Sequence, residues 1–255
     1  MPTEYAGRGD PARTIALLWG VREKGVRGPK PGLTLDRIVA AAIELADAEG
    51  LDHVSMRRVA ERLRVGTMSL YRYVPGKAEM LDVMVDRVSA ETARPGELPG
   101  GWRARLEHIA RQNHLLFERH PWLLHLSLLR PPLGPGVIAK YEYELRAVQG
   151  IGLTDVEMDS VLTLVLDFVR GSAANAVEAS RAEGSTGQSD DQWWSSLAPH
   201  LEQVLDTRRF PLAARVGVAA TDFYQGVSDP HHAFEFGLAR LLDGIEVFVE
   251  RGRRR

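Results

Sequence analysis

Residues 54–77 read VSMRRVAERLRVGTMSLYRYVPGK, and their spacing predicts two short helices around a tight turn. Ser55 is a capping residue, whose hydroxyl can accept a hydrogen bond from a first-turn amide. Val54 before it and Val59 after it have the spacing of a hydrophobic staple, which sets how the chain enters the helix. Val59 and Leu63 then point inward, leaving Arg57, Arg58, Glu61 and Arg62 outward. Val65 and Gly66 break this helix. A second is expected over residues 67–73, with Leu70 and Val74 inward and Pro75 and Gly76 stopping it. The window is lopsided in charge. Arg57, Arg58, Arg62, Arg64, Arg72 and Lys77 face a single Glu61, in a chain whose net charge is only −2. Either this is a solvated face or something polyanionic docks on it.

The flanks extend the helical pattern. Thr34 is a plausible N-cap with Asp36 in the first turn, and Ile38, Ala41, Ala42, Leu45 and Ala46 form one apolar stripe ending at Gly50. Beyond the window a helix is expected from Lys77 to about residue 92, with Leu81, Met84, Val85 and Val88 on one side. Residues 1–32 are rich in Gly, Pro and Arg and are expected to be a flexible basic leader, with one or two helical turns near residues 12–18. Its stretch 22–30 is either a solvated segment or an arm that tracks DNA. ARPGELPGG, residues 93–101, reads as a linker, so residues 33–92 are expected to form one domain and 93–255 a second.

The second part is helical with a different character. Trp102, Leu106, Ile109 and Phe117 share one long helix, and residues 121–129 suggest a short apolar one stopped by Pro131 and Pro132. Val137, Ile138, Tyr141, Leu145 and Val148 stripe another. Thr154 with Glu157 is a capping box that opens a long helix to about residue 181. Within that helix GSAANA, residues 171–176, is a run of small side chains that lets another helix approach closely. Residues 183–191 read as a flexible loop, and residues 230–251 as a last long helix with Phe234, Leu238, Leu241, Leu242, Ile245 and Val249 at helical spacing. No extended alternation and no long-period repeat interrupts this. The fold class is all-α.

Composition narrows the chemistry. The chain has no cysteine, which excludes disulfides, thiol catalysis and cysteine-ligated zinc. Its apolar runs fall short of the roughly 18 residues of a membrane span. The N-terminal apolar patch makes a poor secretory signal, so the chain is read as cytoplasmic with no membrane partner. No nucleophile–base pair or metal set supports an enzyme.

A helix, a turn containing glycine and a second helix with a polar tip is the helix-turn-helix plan, in which the second helix enters the major groove. Residues 33–88 resemble the DNA-binding domain of the TetR family of bacterial transcription regulators. The resemblance is carried by Ile38-Val39-Ala40-Ala41-Ala42, Gly50, Ser55-Met56-Arg57-Arg58-Val59-Ala60, Leu63, Val65, Ser69-Leu70-Tyr71-Arg72-Tyr73-Val74 and Lys77. It implies that Ser55 and Arg57 reach DNA from the first helix of the motif. Thr67, Met68, Ser69, Tyr71, Arg72 and Tyr73 would then form the recognition segment, with Lys77 binding a phosphate. Arg64 departs from the pattern, standing where the family usually has a turn glycine.

Trp102, the Gly171 region and the closing FEFGLARLLDGIEVF are similar to the C-terminal domain of the tetracycline-repressor branch. That similarity implies a homodimer joined by a four-helix bundle from residues 154–181 and 230–251. The small run 171–176 and the apolar stripe 234–249 are the expected pairing surfaces. It also implies a cavity for a small apolar or aromatic ligand, with Trp102, Ile109, Asn113, Phe117, Trp122, His125, Phe168 and Asn175 as candidate lining. Asn175 falls where that branch has an acidic residue, so neither tetracycline nor a metal is expected, and no cofactor. The spacing of His108, His114, His120 and His125 puts no consecutive pair on one helical face, and His231–His232 is read as a cap. Trp193 and Trp194 either line a ligand site or pack under the loop. The terminal RGRRR is read as a solvated tail. The expected function is a sequence-specific regulator, most simply a repressor released from a palindromic operator by its ligand. An all-α enzyme and a constitutive architectural DNA binder are the alternatives.

Overall fold

The computed structural model describes residues 4–21, 32–96 and 100–253. The arm expected over residues 22–30 lies outside them, as do the last two arginines of the tail. The described chain runs β1 (Glu4–Tyr5), α1 (Pro11–Leu18), α2 (Leu35–Glu49), α3 (Met56–Leu63), α4 (Thr67–Leu70), α5 (Lys77–Ser89) and α6 (Gly101–Arg119). It continues through β2 (Leu126–Ser127), α7 (Pro135–Arg146), α8 (Asp155–Thr186), α9 (Asp190–Val204), α10 (Pro211–Tyr224) and α11 (Pro230–Arg253). Two-residue strands apart, the molecule is helical.

Local chemistry fixes the first helices. The hydroxyls of Thr34 and Ser55 accept from the amides of Arg37 and Arg58, capping α2 and α3. Val54 and Val59 are buried together, and Ile38, Val39, Ala42, Leu70, Val74, Met80 and Met84 complete a core among α2, α3, α4 and α5. Arg64 ends α3 in the left-handed conformation, φ 55° and ψ 43°, which only glycine adopts without strain. The turn therefore keeps its shape without the glycine, at a conformational cost.

Above this sits the larger helical layer. α8 packs most extensively on α6 and next on α11. Val161, Leu162, Val165, Val169 and Ala173 of α8 meet Phe234, Leu238, Leu242 and Ile245 of α11 in one core. α8 is long and apolar enough to cross a membrane by length and composition alone, while Val161, Leu162, Val165, Val169 and Ala173 are buried against these neighbours. The Thr154–Glu157 capping box is present, with the Thr154 amide donating to Glu157 Oε2 at 2.8 Å.

Four expectations change here. Residues 4–21 of the leader are not a loose tail: β1 pairs in parallel with β2, and α1 packs on α5. The segment 121–129 is a 3-10 turn, Pro121–His125, running into β2 rather than a helix, because the incoming strand captures its backbone. Residues 183–191 are mostly helical, since α8 continues to Thr186 and α9 begins at Asp190 behind a Ser189–Gln192 capping box. The stripe of Phe234, Leu238, Leu242, Ile245 and Val249 is buried inside its own protomer. The free face of α11 carries Phe236, Val247 and Phe248 instead.

Candidate DNA interface and ligand cavity

The basic window is less bare than its charge count suggests. Arg58 forms a two-point contact with Glu49 of α2 at 2.9 and 2.7 Å, and Arg62 reaches Glu44 at 3.0 Å. Arg57 pairs with Glu61 on its own helix at 3.3 Å, both side chains well exposed. Lys77 is held by Glu4 at 2.8 Å. Arg64 and Arg72 are exposed and make no ion pair among the described residues. They stand at the turn and at the tip of the second helix.

Of the nine candidate DNA-facing residues, Met68 is 76% exposed, and Arg57, Tyr71 and Arg72 are also exposed. Thr67 and Ser69 are half-buried on the same short helix, whose regular part ends at Leu70 rather than near residue 73. Tyr71–Tyr73 follow as a turn, and the amides of Tyr73 and Val74 both return to the Leu70 carbonyl. Tyr73 is half-buried against the core. Ser55 spends its hydroxyl on the helix cap. The two helix starts thus differ: α3 is capped by the Ser55 side chain, whereas α4 begins behind Gly66 without a side-chain cap.

The eight candidate ligand residues do not converge on one cavity. Ile109, Asn113 and Phe117 are buried on α6, and the Asn113 side chain donates to Glu144 Oε1 at 2.8 Å and to the Ile109 carbonyl. Lys140 meets the same Glu144 oxygen at 2.6 Å, so Asn113 belongs to a buried polar knot with α7. Trp122 and His125 border a groove of about 570 Å³ between the end of α2 and the 3-10 turn, with Asp47, Asp52, His53 and Arg181. Asn175 lies in a separate groove of about 500 Å³, with Ser172, Ala179, Tyr224, Val227 and Pro230. Trp102 is half-buried at the start of α6. Phe168 is half-buried and stacks on Phe234 with centroids 6.0 Å apart.

Residues 38–84 match the bacterial regulatory proteins of the tetR family, and residues 94–249 match the tetracyclin repressor-like C-terminal domain. The chain belongs to the tetR family. The HTH-type transcriptional repressor DrrR1 of Streptomyces coeruleorubidus is 47% identical over 252 residues, covering 98% of this chain and 91% of that one. Apo ActR from Streptomyces coelicolor superposes with a TM-score of 0.71 at 28% identity, over 88% of this chain and 99% of ActR. ActR in complex with actinorhodin gives 0.69 at 31% identity, over 87% and 99%. As a tetR-family member the protein is a DNA-binding transcriptional regulator.

α9 and α10 contain no buried residue, yet Trp193, Leu197, Leu201, Leu212, Val216 and Phe223 are exposed apolar side chains on them. The spacing of Trp193, Leu197 and Leu201 and the Ser189–Gln192 box were the signals available. The small-residue run is open at its first residue within the protomer. A Cβ on Gly171 would meet nothing within 4 Å, whereas one on Gly237 would come 2.5 Å from the Phe168 ring. The close helix approach inside the protomer is therefore at Gly237.

Proposed function

We propose that the protein represses transcription by seating α4 and the turn after it in the major groove of a palindromic operator. Arg72, Tyr71 and Met68 would read base edges, and Arg57 and Lys77 would hold phosphates. The carrying observation is the tip itself: Met68, Tyr71 and Arg72 are exposed together, while Arg58 and Arg62 of the preceding helix are paired within the chain. Unpaired guanidinium and exposed apolar groups on a helix tip suit guanine edges and thymine methyls. A small apolar or aromatic ligand, of the kind ActR holds, releases the operator. The groove beside Asn175 fits such a ligand in size and offers Tyr224, Val227 and Pro230 as apolar walls. It touches both α8 and the start of α11, so occupancy there can favour one arrangement of the two helices over another. The protein acts in the cytoplasm and performs no catalysis.

Genomic fragments retained by the purified protein should share one palindromic motif, and a duplex carrying it should be released by actinorhodin or a related aromatic ligand. Retention of fragments without a common motif would instead indicate an architectural binder.

A further inference from the structure

The leader forms a strap across both domains. Its β1 strand pairs with β2 in the register Glu4 to Leu126 and Tyr5 to Ser127, and the Ala6 amide adds a bond to the Ser127 carbonyl at 3.1 Å. The Gly7 amide donates to Oδ1 of Asp82, a buried carboxylate of α5, at 2.8 Å. Farther along, the indole of Trp19 donates to the Leu133 carbonyl at 2.9 Å. Gly7 has φ +69°, and a Cβ there would lie 3.0 Å from the Arg130 carbonyl oxygen, so both conformation and space demand glycine.

At the free end of this strap the Glu4 carboxylate meets the Lys77 ammonium, both side chains partly buried. Lys77 opens α5 on the DNA-facing side. The other side of β2 is tied to α8, because Arg170 donates to the carbonyls of Leu124 and Leu126 at 3.0 and 2.9 Å. One continuous set of bonds therefore runs from α8, through β2 and β1, to the first residue of α5.

We propose that Glu4 is an internal competitor for Lys77, positioned by the strap, so that operator affinity is set partly by whether the strap is docked. The proposal rests on the reading of Lys77 as a phosphate contact. A phosphate must displace the carboxylate to reach the ammonium. Because β2 is anchored to α8, any shift of that helix that loosens β1 changes the charge presented to DNA.

The test uses the full-length protein and the operator duplex recovered from genomic DNA, titrated over a range of salt. Glu4→Gln keeps the strand and removes the charge. It should tighten binding about two- to five-fold, the worth of a partly exposed ion pair, and steepen the salt dependence by up to about one unit. Gly7→Ala detaches the strap without touching a charge, seen as faster amide exchange over residues 4–19, and should tighten binding likewise. Neither change should have an effect in a Lys77→Ala background. If Lys77→Ala weakens binding while Glu4→Gln and Gly7→Ala do not tighten it, the competitor role is wrong and the phosphate contact stands. Equal tightening by Glu4→Gln with and without Lys77 would also overturn it. If Lys77→Ala leaves affinity and salt slope unchanged, the phosphate contact itself is wrong and the competitor role goes with it.

Discussion

The imidazole Nδ1 of His120 lies 2.8 Å from Oδ1 of Asp47. One residue follows the end of α6 and the other comes from α2, so this contact joins the C-terminal helical layer to the helix-turn-helix domain. The indole of Trp122 donates to the same oxygen at 2.8 Å, and Glu91 Oε2 faces the second ring nitrogen at 3.1 Å. Burial raises the Glu91 pKa, but the hydrogen bonds from His120 and Arg119 outweigh it and hold the group below the usual carboxylate value. His120→Phe keeps a ring of similar size and strips both polar contacts from two partly buried carboxylates. It should cost about 2–4 kcal/mol of stability in urea unfolding and weaken ligand-driven release of DNA. A loss below about 0.5 kcal/mol, within the range of neutral surface changes, would show that the joint carries no load.

Arg72→Ala should relax base preference at one position of the operator and cost about 1–3 kcal/mol of binding. Binding to scrambled duplex should change little by comparison. Selection of bound sequences from a randomised pool reads both effects; an unaltered consensus would remove Arg72 from the base contacts.

Arg64→Gly relieves a left-handed residue and should stabilise the fold by about 1 kcal/mol, seen as a raised melting temperature. The same change removes an unpaired cation beside the recognition segment, so affinity for DNA should fall while stability rises. Opposite signs in the two measurements are the expected signature. Loss of stability would mean that the Arg64 side chain contributes more than its backbone costs.

Gly237→Ala forces a methyl against the Phe168 ring and should destabilise by about 1–3 kcal/mol through overpacking between α8 and α11. Gly171→Ala, which meets nothing in its own protomer, should gain up to about 1 kcal/mol from helix propensity. Sedimentation of both variants separates the cases: a Gly171→Ala protein that falls apart into monomers would locate that glycine in the subunit contact.

His114 is packed on Phe234 with centroids 4.4 Å apart, and its Nε2 is buried without a hydrogen-bond partner among the described residues. Burial pushes its pKa below the ordinary 6.5, against the pull of Glu118 and Glu235 and with the help of His231. The unfolded chain therefore takes up a proton before the folded one does. Stability from this site is complete above about pH 6.5 and is lost as pH falls toward the lower folded value. Urea midpoints at two pH values on either side should differ more for the native protein than for His114→Leu. Equal differences would assign the acid sensitivity elsewhere.

The helix-turn-helix was legible because its determinants are local. Thr34 and Ser55 cap as their positions require, and Val54 and Val59 close as a staple within six residues of chain. The stripe of α11 was legible as buried but not as to what buries it. Periodicity gives the face and not the neighbour, so residues facing α6 and α8 were assigned to a second subunit. Lys77 was found by its place in the motif, whereas its partner Glu4 lies 73 positions away in a segment with no pattern of its own. The polar knot of Asn113, Glu144 and Lys140 was likewise invisible, since a buried carboxylate reads as a surface residue until its partners are seen.

The pairing of Glu4 with Leu126 gives the strap a date as well as a place. Synthesis proceeds from the N-terminus at about 5–20 residues per second, and domains fold as units while the chain lengthens. The helices from α2 to α5 are complete at Ser89, 37 positions before β2 begins at Leu126. For a few seconds on the ribosome, by that rate, the nascent DNA-binding domain holds an uncompeted Lys77 and a strand with nothing to join. The finished protein differs from its own half-made form at the very residue that opens α5.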